Sequence, residues 1–109
     1  MSHDPTHVTE VIRRLVLDWC VERNEGGERK VDLAAGDAAP LYGPERVLDS
    51  LALVALVVAV EQGIDDELGV ILTLADEKAA SQARSPFRTV GSLVAYATAR
   101  TLEEADADA

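Results

Sequence analysis

Three segments of the chain carry apolar residues at the spacing of an α-helix. In residues 8–24 the apolar side chains recur every three or four positions on one face, and the charged side chains fall off that face. Residues 50–62 are apolar almost throughout, and residues 90–97 carry a third apolar stripe. The pattern therefore predicts three main helices, and no pair of partner strands accompanies them.

Residues that typically begin and end helices flank these segments. Two glycines at 26–27 end the first segment, and Gly63 ends the second. Ser50 is a good N-cap residue for the second helix, with Asp49 beside it. Thr89 is placed to cap the third helix. The predicted helices thus begin and end at residues that typically cap helices.

The connections between the helices differ in length and character. Residues 25–49 are rich in Gly, Asp, Ala and Pro, which indicates a long loop that is packed or functional. Residues 64–74 have a β-like composition without a partner strand, so we predict an extended, packed segment. A short helix is predicted over residues 75–81. The expected fold is all-α: a small bundle of three main helices plus one short helix, with the long loop between helices one and two.

Length and charge restrict the classes of function. The 109 residues fit one domain, which we place at residues 8–102, between a flexible N-terminal tail (1–7) and an acidic disordered tail (103–109). The chain has 20 acidic and 10 basic residues, which gives a formal net charge of −10. This charge argues against binding to nucleic acids or anionic membranes, because both need basic patches.

Residue types that support catalysis or metal binding are scarce. Cys20 is the one cysteine, and His3 and His7 lie in the N-terminal tail, so neither a disulfide framework nor a cysteine-based zinc site is expected. No nucleophile–base pair stands out, which argues against an enzyme. The longest apolar run, residues 51–60, is too short to span a bilayer, and no apolar leader begins the chain. We expect a soluble, cytoplasmic monomer.

One motif, Asp49-Ser50-Leu51, points to a specific chemistry. By itself it is a short string, and Asp-Ser before an apolar run is also an ordinary helix cap. Its context is more specific, because it follows a long loop and opens an apolar helix in a small acidic chain. In these features the sequence resembles the acyl carrier protein family, over about residues 8–102.

The resemblance implies a carrier domain that depends on phosphopantetheine. Ser50 would carry the 4′-phosphopantetheine arm, attached by a separate transferase whose magnesium Asp49 would help to hold, and Leu51 would offer an apolar contact. A helix N-terminus suits the phosphodiester, because its unpaired N–H groups and partial positive charge favour an anion. The thiol of the arm would carry acyl groups as thioesters. The implied partners are a phosphopantetheinyl transferase, an acyl- or aminoacyl-loading ligase and acyltransferases.

The second helix is apolar on two opposite faces. At 100° per residue, one narrow arc forms a core stripe of Leu53, Leu56, Val57, Val60 and Ile64. The opposite face holds Leu51, Ala55 and Val58. Either this face is accessible to partners, or the loop over residues 25–49 covers it.

Acidic residues lie further along this helix than in fatty-acid carriers. Those carriers place acids within the first two turns after the serine, where this chain has Ala52 and Ala55. A displaced set of acids indicates displaced partner contacts. The predicted partner-binding surface consists of Ala55, Val58, Glu61, Asp65, Asp66 and Glu67.

These departures favour a specialised carrier in a dedicated lipid or secondary-metabolite pathway over the housekeeping fatty-acid type. An aminoacyl or peptidyl carrier, loaded by an adenylating ligase, fits the same motif. A function from another class also fits: a non-catalytic helical interaction module that docks through the apolar face of helix two.

Overall fold

The structure, a computed structural model, describes residues 4–26, 30–42, 47–74 and 86–107. Within these ranges the chain forms three α-helices and one 3-10 helix, and no β-strand: α1 (Pro5–Gly26), the 3-10 helix (Leu33–Ala38), α2 (Ser50–Leu68) and α3 (Val90–Ala107). The prediction of a small all-α bundle with three main helices and a long first loop is confirmed.

The first helix begins earlier than its apolar stripe does. Proline occupies the first helical position, where its missing N–H is not needed. Asp4 precedes it, and its carboxylate accepts a hydrogen bond from the N–H of Thr6 at 3.3 Å. The helix therefore includes residues 5–7 of the segment predicted as an N-terminal tail, because local capping extends it beyond the part that packs.

The second helix continues through the glycine that was expected to end it. A Cβ atom on Gly63 would lie 2.6 Å from Cδ2 of Leu15, so this glycine lets α1 and α2 approach closely. The helix ends instead at Gly69, which has a left-handed φ of 68° and donates its N–H to the carbonyl of Asp65 at 3.0 Å. The first five residues of the predicted extended segment, 64–68, are thus helical.

The third helix begins at a reciprocal cap. Thr89 Oγ1 accepts the N–H of Ser92 at 3.1 Å, and Ser92 Oγ accepts the N–H of Thr89 at 3.0 Å. The helix runs to Ala107 and so includes residues 103–107 of the segment predicted as an acidic disordered tail. Within this added part, Ala105 packs against the core.

The described part of the long loop contains a short helical element that the sequence pattern did not predict. The 3-10 helix over Leu33–Ala38 lies within it and turns at Gly36, whose φ is 60°. The short helix predicted over residues 75–81 lies outside the described residues. Residues 70–74 follow α2 without helical structure, as predicted for that part of the extended segment.

An aliphatic core joins the helices, and α1 packs against both α2 and α3. The predicted core stripe of α2 is confirmed, because all five of its residues are buried in one cluster with the stripes of the other helices. Cys20 belongs to this cluster, and burial raises the pKa of its thiol to about 11. The cysteine therefore stays protonated near neutral pH and contributes packing rather than reactivity.

Candidate functional site

The site is the start of α2, where Asp49 and not Ser50 is the N-cap residue. Asp49 has an extended backbone, with φ −77° and ψ 175°. Its Oδ1 accepts the N–H of Ala52 at 2.7 Å, and its carbonyl accepts the N–H of Leu53 at 2.9 Å. Ser50 is therefore the first residue inside the helix. The prediction that Ser50 is the N-cap residue is therefore wrong, and the carboxylate of Asp49 takes the cap because its negative charge suits the helix N-terminus.

The chain passes from the core to the surface at this point. Leu48 is fully buried, whereas Asp49 is exposed and Leu51 is 80% exposed. The two neighbours of Ser50 along the chain are therefore both accessible to a large partner.

An exposed apolar face extends from this point along α2. Leu51, Val54 and Val58 are 80%, 53% and 42% exposed, and Ala55 is exposed as well. These fractions favour the alternative in which the face is accessible over the one in which the long loop covers it. Sequence reasoning missed Val54, although its position three residues after Leu51 would have placed it on the same face.

The four predicted partner-binding acids do not share one environment. The carboxylate of Glu61 is half-buried and accepts the N–H of Leu74 at 2.6 Å, so it holds the segment that follows α2. Glu67 forms an ion pair with Arg14 of α1. Asp65 and Asp66 are exposed and make no ion pair within the described ranges. Only this last pair remains open to a partner.

The ion pair between Arg14 and Glu67 shifts the pKa of both groups. The hydrogen bond from the guanidinium lowers the pKa of Glu67, and the same contact raises the pKa of Arg14. Ionised Glu67 therefore favours the folded state at neutral pH, and this contribution is lost as the pH falls through its lowered pKa. Because both side chains are more than one-third exposed, the pair contributes little to stability.

Backbone hydrogen bonds tie the long loop to the start of α3 and thereby to the site. The N–H of Leu41 donates to the carbonyl of Arg88 at 2.7 Å, and the N–H of Val90 donates to the carbonyl of Ala39 at 3.1 Å. The N–H of Leu48 donates to the carbonyl of Leu41 at 2.9 Å. The residue that precedes the Asp49 cap is thus linked to the start of α3 through two hydrogen bonds.

Two further observations bear on the kind of site. Among the residues that the structure describes, no group of three or more His, Cys, Asp or Glu residues is arranged to hold a metal ion. None of the described helices is both long enough and apolar enough to cross a membrane.

Comparison of the chain with protein-family models, with curated proteins and with solved structures gives no match.

Proposed function

We propose that this protein is an acyl carrier protein in which Ser50 bears a covalent 4′-phosphopantetheine arm. The observation that carries the proposal is the motif Asp49-Ser50-Leu51 at an accessible helix start, directly after a long loop, in a small acidic all-α bundle. The arm supplies a terminal thiol that carries acyl groups as thioesters. The protein presents these groups to partner enzymes and does no bond chemistry itself.

The residues at the start of α2 fit such a group. The first turn of a helix offers backbone N–H groups and a partial positive charge, and both favour the phosphodiester. The cap formed by Asp49 uses one of its carboxylate oxygens on the N–H of Ala52. The other oxygen can help a transferase to hold magnesium, and exposed Leu51 offers an apolar contact.

The partners we propose are a phosphopantetheinyl transferase, a loading ligase for an acyl or aminoacyl group, and acyltransferases. The apolar residues at the start of α2 favour enzymes of a dedicated pathway over those of general fatty-acid synthesis. A net charge of −10 opposes self-association, which favours a monomer.

The experiment that tests the proposal is co-expression with a broad-specificity phosphopantetheinyl transferase, followed by intact-mass measurement. We expect one phosphopantetheine per chain. A chain that stays unmodified with several such transferases would contradict the carrier function. It would favour the alternative of an interaction module that docks through α2.

Two substitutions at Asp49 separate its cap from its charge. Asp49→Asn keeps an oxygen that can accept the N–H of Ala52, so we expect this variant to retain stability but to be modified more slowly, because it lacks the negative charge for magnesium. Asp49→Ala loses the cap as well, which should cost about 1 kcal/mol of unfolding free energy. Urea unfolding and initial modification rates measure the two effects. Equal modification rates for Asp49→Asn and wild type would exclude a metal-binding role.

Substitutions on the exposed face of α2 test how partners dock. We expect Val58→Asp to slow modification by the transferase at every salt concentration, because a charge there disrupts the apolar contact. The double variant Asp65→Lys/Asp66→Lys should slow it mainly at low salt, because exposed charges act over distance and are screened.

Initial modification rates against ionic strength measure both effects, with the fold checked by circular dichroism. The matched control is Glu10→Lys/Glu103→Lys, which makes the same charge change at exposed positions on α1 and α3. If Val58→Asp is modified as fast as wild type, this face is not the docking surface.

A further inference from the structure

One residue of the 3-10 helix in the long loop, Asp37, contacts both helices that flank it. None of the residues over Leu33–Ala38 is buried, so apolar packing does not fix this 3-10 helix. The two carboxylate oxygens of Asp37 accept hydrogen bonds from Arg13 of α1 at 3.2 and 3.0 Å. On the other side Asp37 lies against Gly91 in the first turn of α3.

The contact with Gly91 depends on the absence of a side chain there. A Cβ atom on Gly91 would lie 2.8 Å from Cβ of Asp37 and 2.9 Å from its carbonyl oxygen. Because one of these atoms belongs to the backbone, a rotation of the Asp37 side chain does not relieve the overlap. A larger residue at position 91 therefore requires the backbone of the loop and the start of α3 to move apart.

The start of α3 is a firm support for the loop. The reciprocal cap between Thr89 and Ser92 fixes its first turn, and Ser92 Oγ also donates to the carbonyl of Pro86 at 2.8 Å. Shortly after Asp37, the loop is hydrogen-bonded to the start of α3. The N–H of Val90 donates to the carbonyl of Ala39, and the N–H of Leu41 donates to the carbonyl of Arg88. A displacement of Asp37 thus acts on the hydrogen bonds that lead to the residues before α2.

We propose that Gly91 is a positioning residue for the modification site. By admitting Asp37, it sets the path of the long loop and hence the placement of Asp49 and Ser50 at the start of α2. This inference rests on the proposed function for its effect on modification, but its geometric part is measurable without it.

The experiment uses the full chain with Gly91→Ala. In the transfer step the Ser50 oxygen bonds to the diphosphate phosphorus that bears the pantetheine of coenzyme A, the serine proton is released, and the P–O bond within the diphosphate breaks so that 3′,5′-ADP leaves. We expect kcat of the transferase to fall about tenfold, because small misplacements of a reacting group lower rates strongly. KM should stay unchanged, because the exposed face of α2 is intact. Backbone amide NMR shifts of residues 48–52 should move.

A control variant and a second test variant accompany this experiment. Gly26→Ala makes the same chemical change at the end of α1, where a Cβ atom meets nothing within 4 Å, so its kinetics and spectra should match wild type. Arg13→Gln loosens Asp37 from the other side and should lower kcat in the same direction by less. It also keeps the inference testable if Gly91→Ala does not fold.

The outcomes distinguish the inference from the function on which it rests. Unchanged kcat and unmoved amide shifts in folded Gly91→Ala would overturn the positioning role. If wild type takes no phosphopantetheine while the shifts of residues 48–52 move, the carrier function fails and the geometric link stands. A rise in KM with kcat unchanged would also overturn the positioning role of Gly91, because that pattern indicates impaired docking.

Discussion

Ser50→Ala is expected to take no phosphopantetheine under conditions in which wild type is fully modified. The substitution removes the hydroxyl oxygen that forms the bond to phosphorus, and no neighbour of Ser50 along the chain has a hydroxyl to replace it. Alanine is the strongest helix former, and position 50 is the first residue of α2, so the fold should remain intact. Intact-mass measurement after co-expression with a broad-specificity transferase gives the result directly.

The matched control is Ser81→Ala, which removes a serine hydroxyl at a position without a preceding aspartate. It should be modified as fast as wild type. If Ser50→Ala still gains one phosphopantetheine, the attachment site lies elsewhere and the role assigned to the motif is wrong. Peptide mapping of the modified variant then identifies the residue that carries the group.

Leu56→Ala is expected to lower the unfolding free energy by about 2–4 kcal/mol. Leu56 is fully buried on the stripe of α2 that faces the core. Truncation removes apolar contacts and leaves a cavity that close-packed neighbours fill only in part. In a domain of this size such a loss is a large share of the total stability. Urea unfolding followed by circular dichroism measures it.

Val58→Ala is the control for this prediction, because Val58 lies on the opposite, exposed face of the same helix. It should change the unfolding free energy by about 0.5 kcal/mol or less. The reverse result, in which Val58→Ala unfolds the protein while Leu56→Ala does not, would mean that the core-facing and exposed faces of α2 are assigned the wrong way round.

The apolar first part of α2 has two faces with different roles in this small domain. One face is committed to the core, and the other remains exposed beside the candidate attachment site. The acids of the helix are divided in a similar way. Glu61 and Glu67 bond within the fold, whereas Asp65 and Asp66 stay open at the far end. A partner that docks on this surface would contact apolar residues next to Ser50. The exposed acids Asp65 and Asp66 lie several helical turns away from Ser50.

The sequence alone determined the fold class, the core stripe of α2 and the location of the motif. These features depend on helical periodicity, and periodicity is written into consecutive residues of one segment. The same reasoning found the exposed face except for Val54. It also identified Thr89 as the cap of the third helix, because Ser and Thr act as caps through bonds to residues two or three positions away.

Only the tertiary structure decided the roles of the glycines and of the acids. The sequence pattern predicts that Gly63 ends the helix, yet Gly63 lies inside α2. A glycine is needed there because Leu15 of α1 packs where a side chain would be. Glu61 and Glu67 read as surface charge, yet their partners, Leu74 and Arg14, lie 13 and 53 residues away in the sequence. Contacts between distant segments depend on how the helices pack, and no local pattern in one segment contains that information.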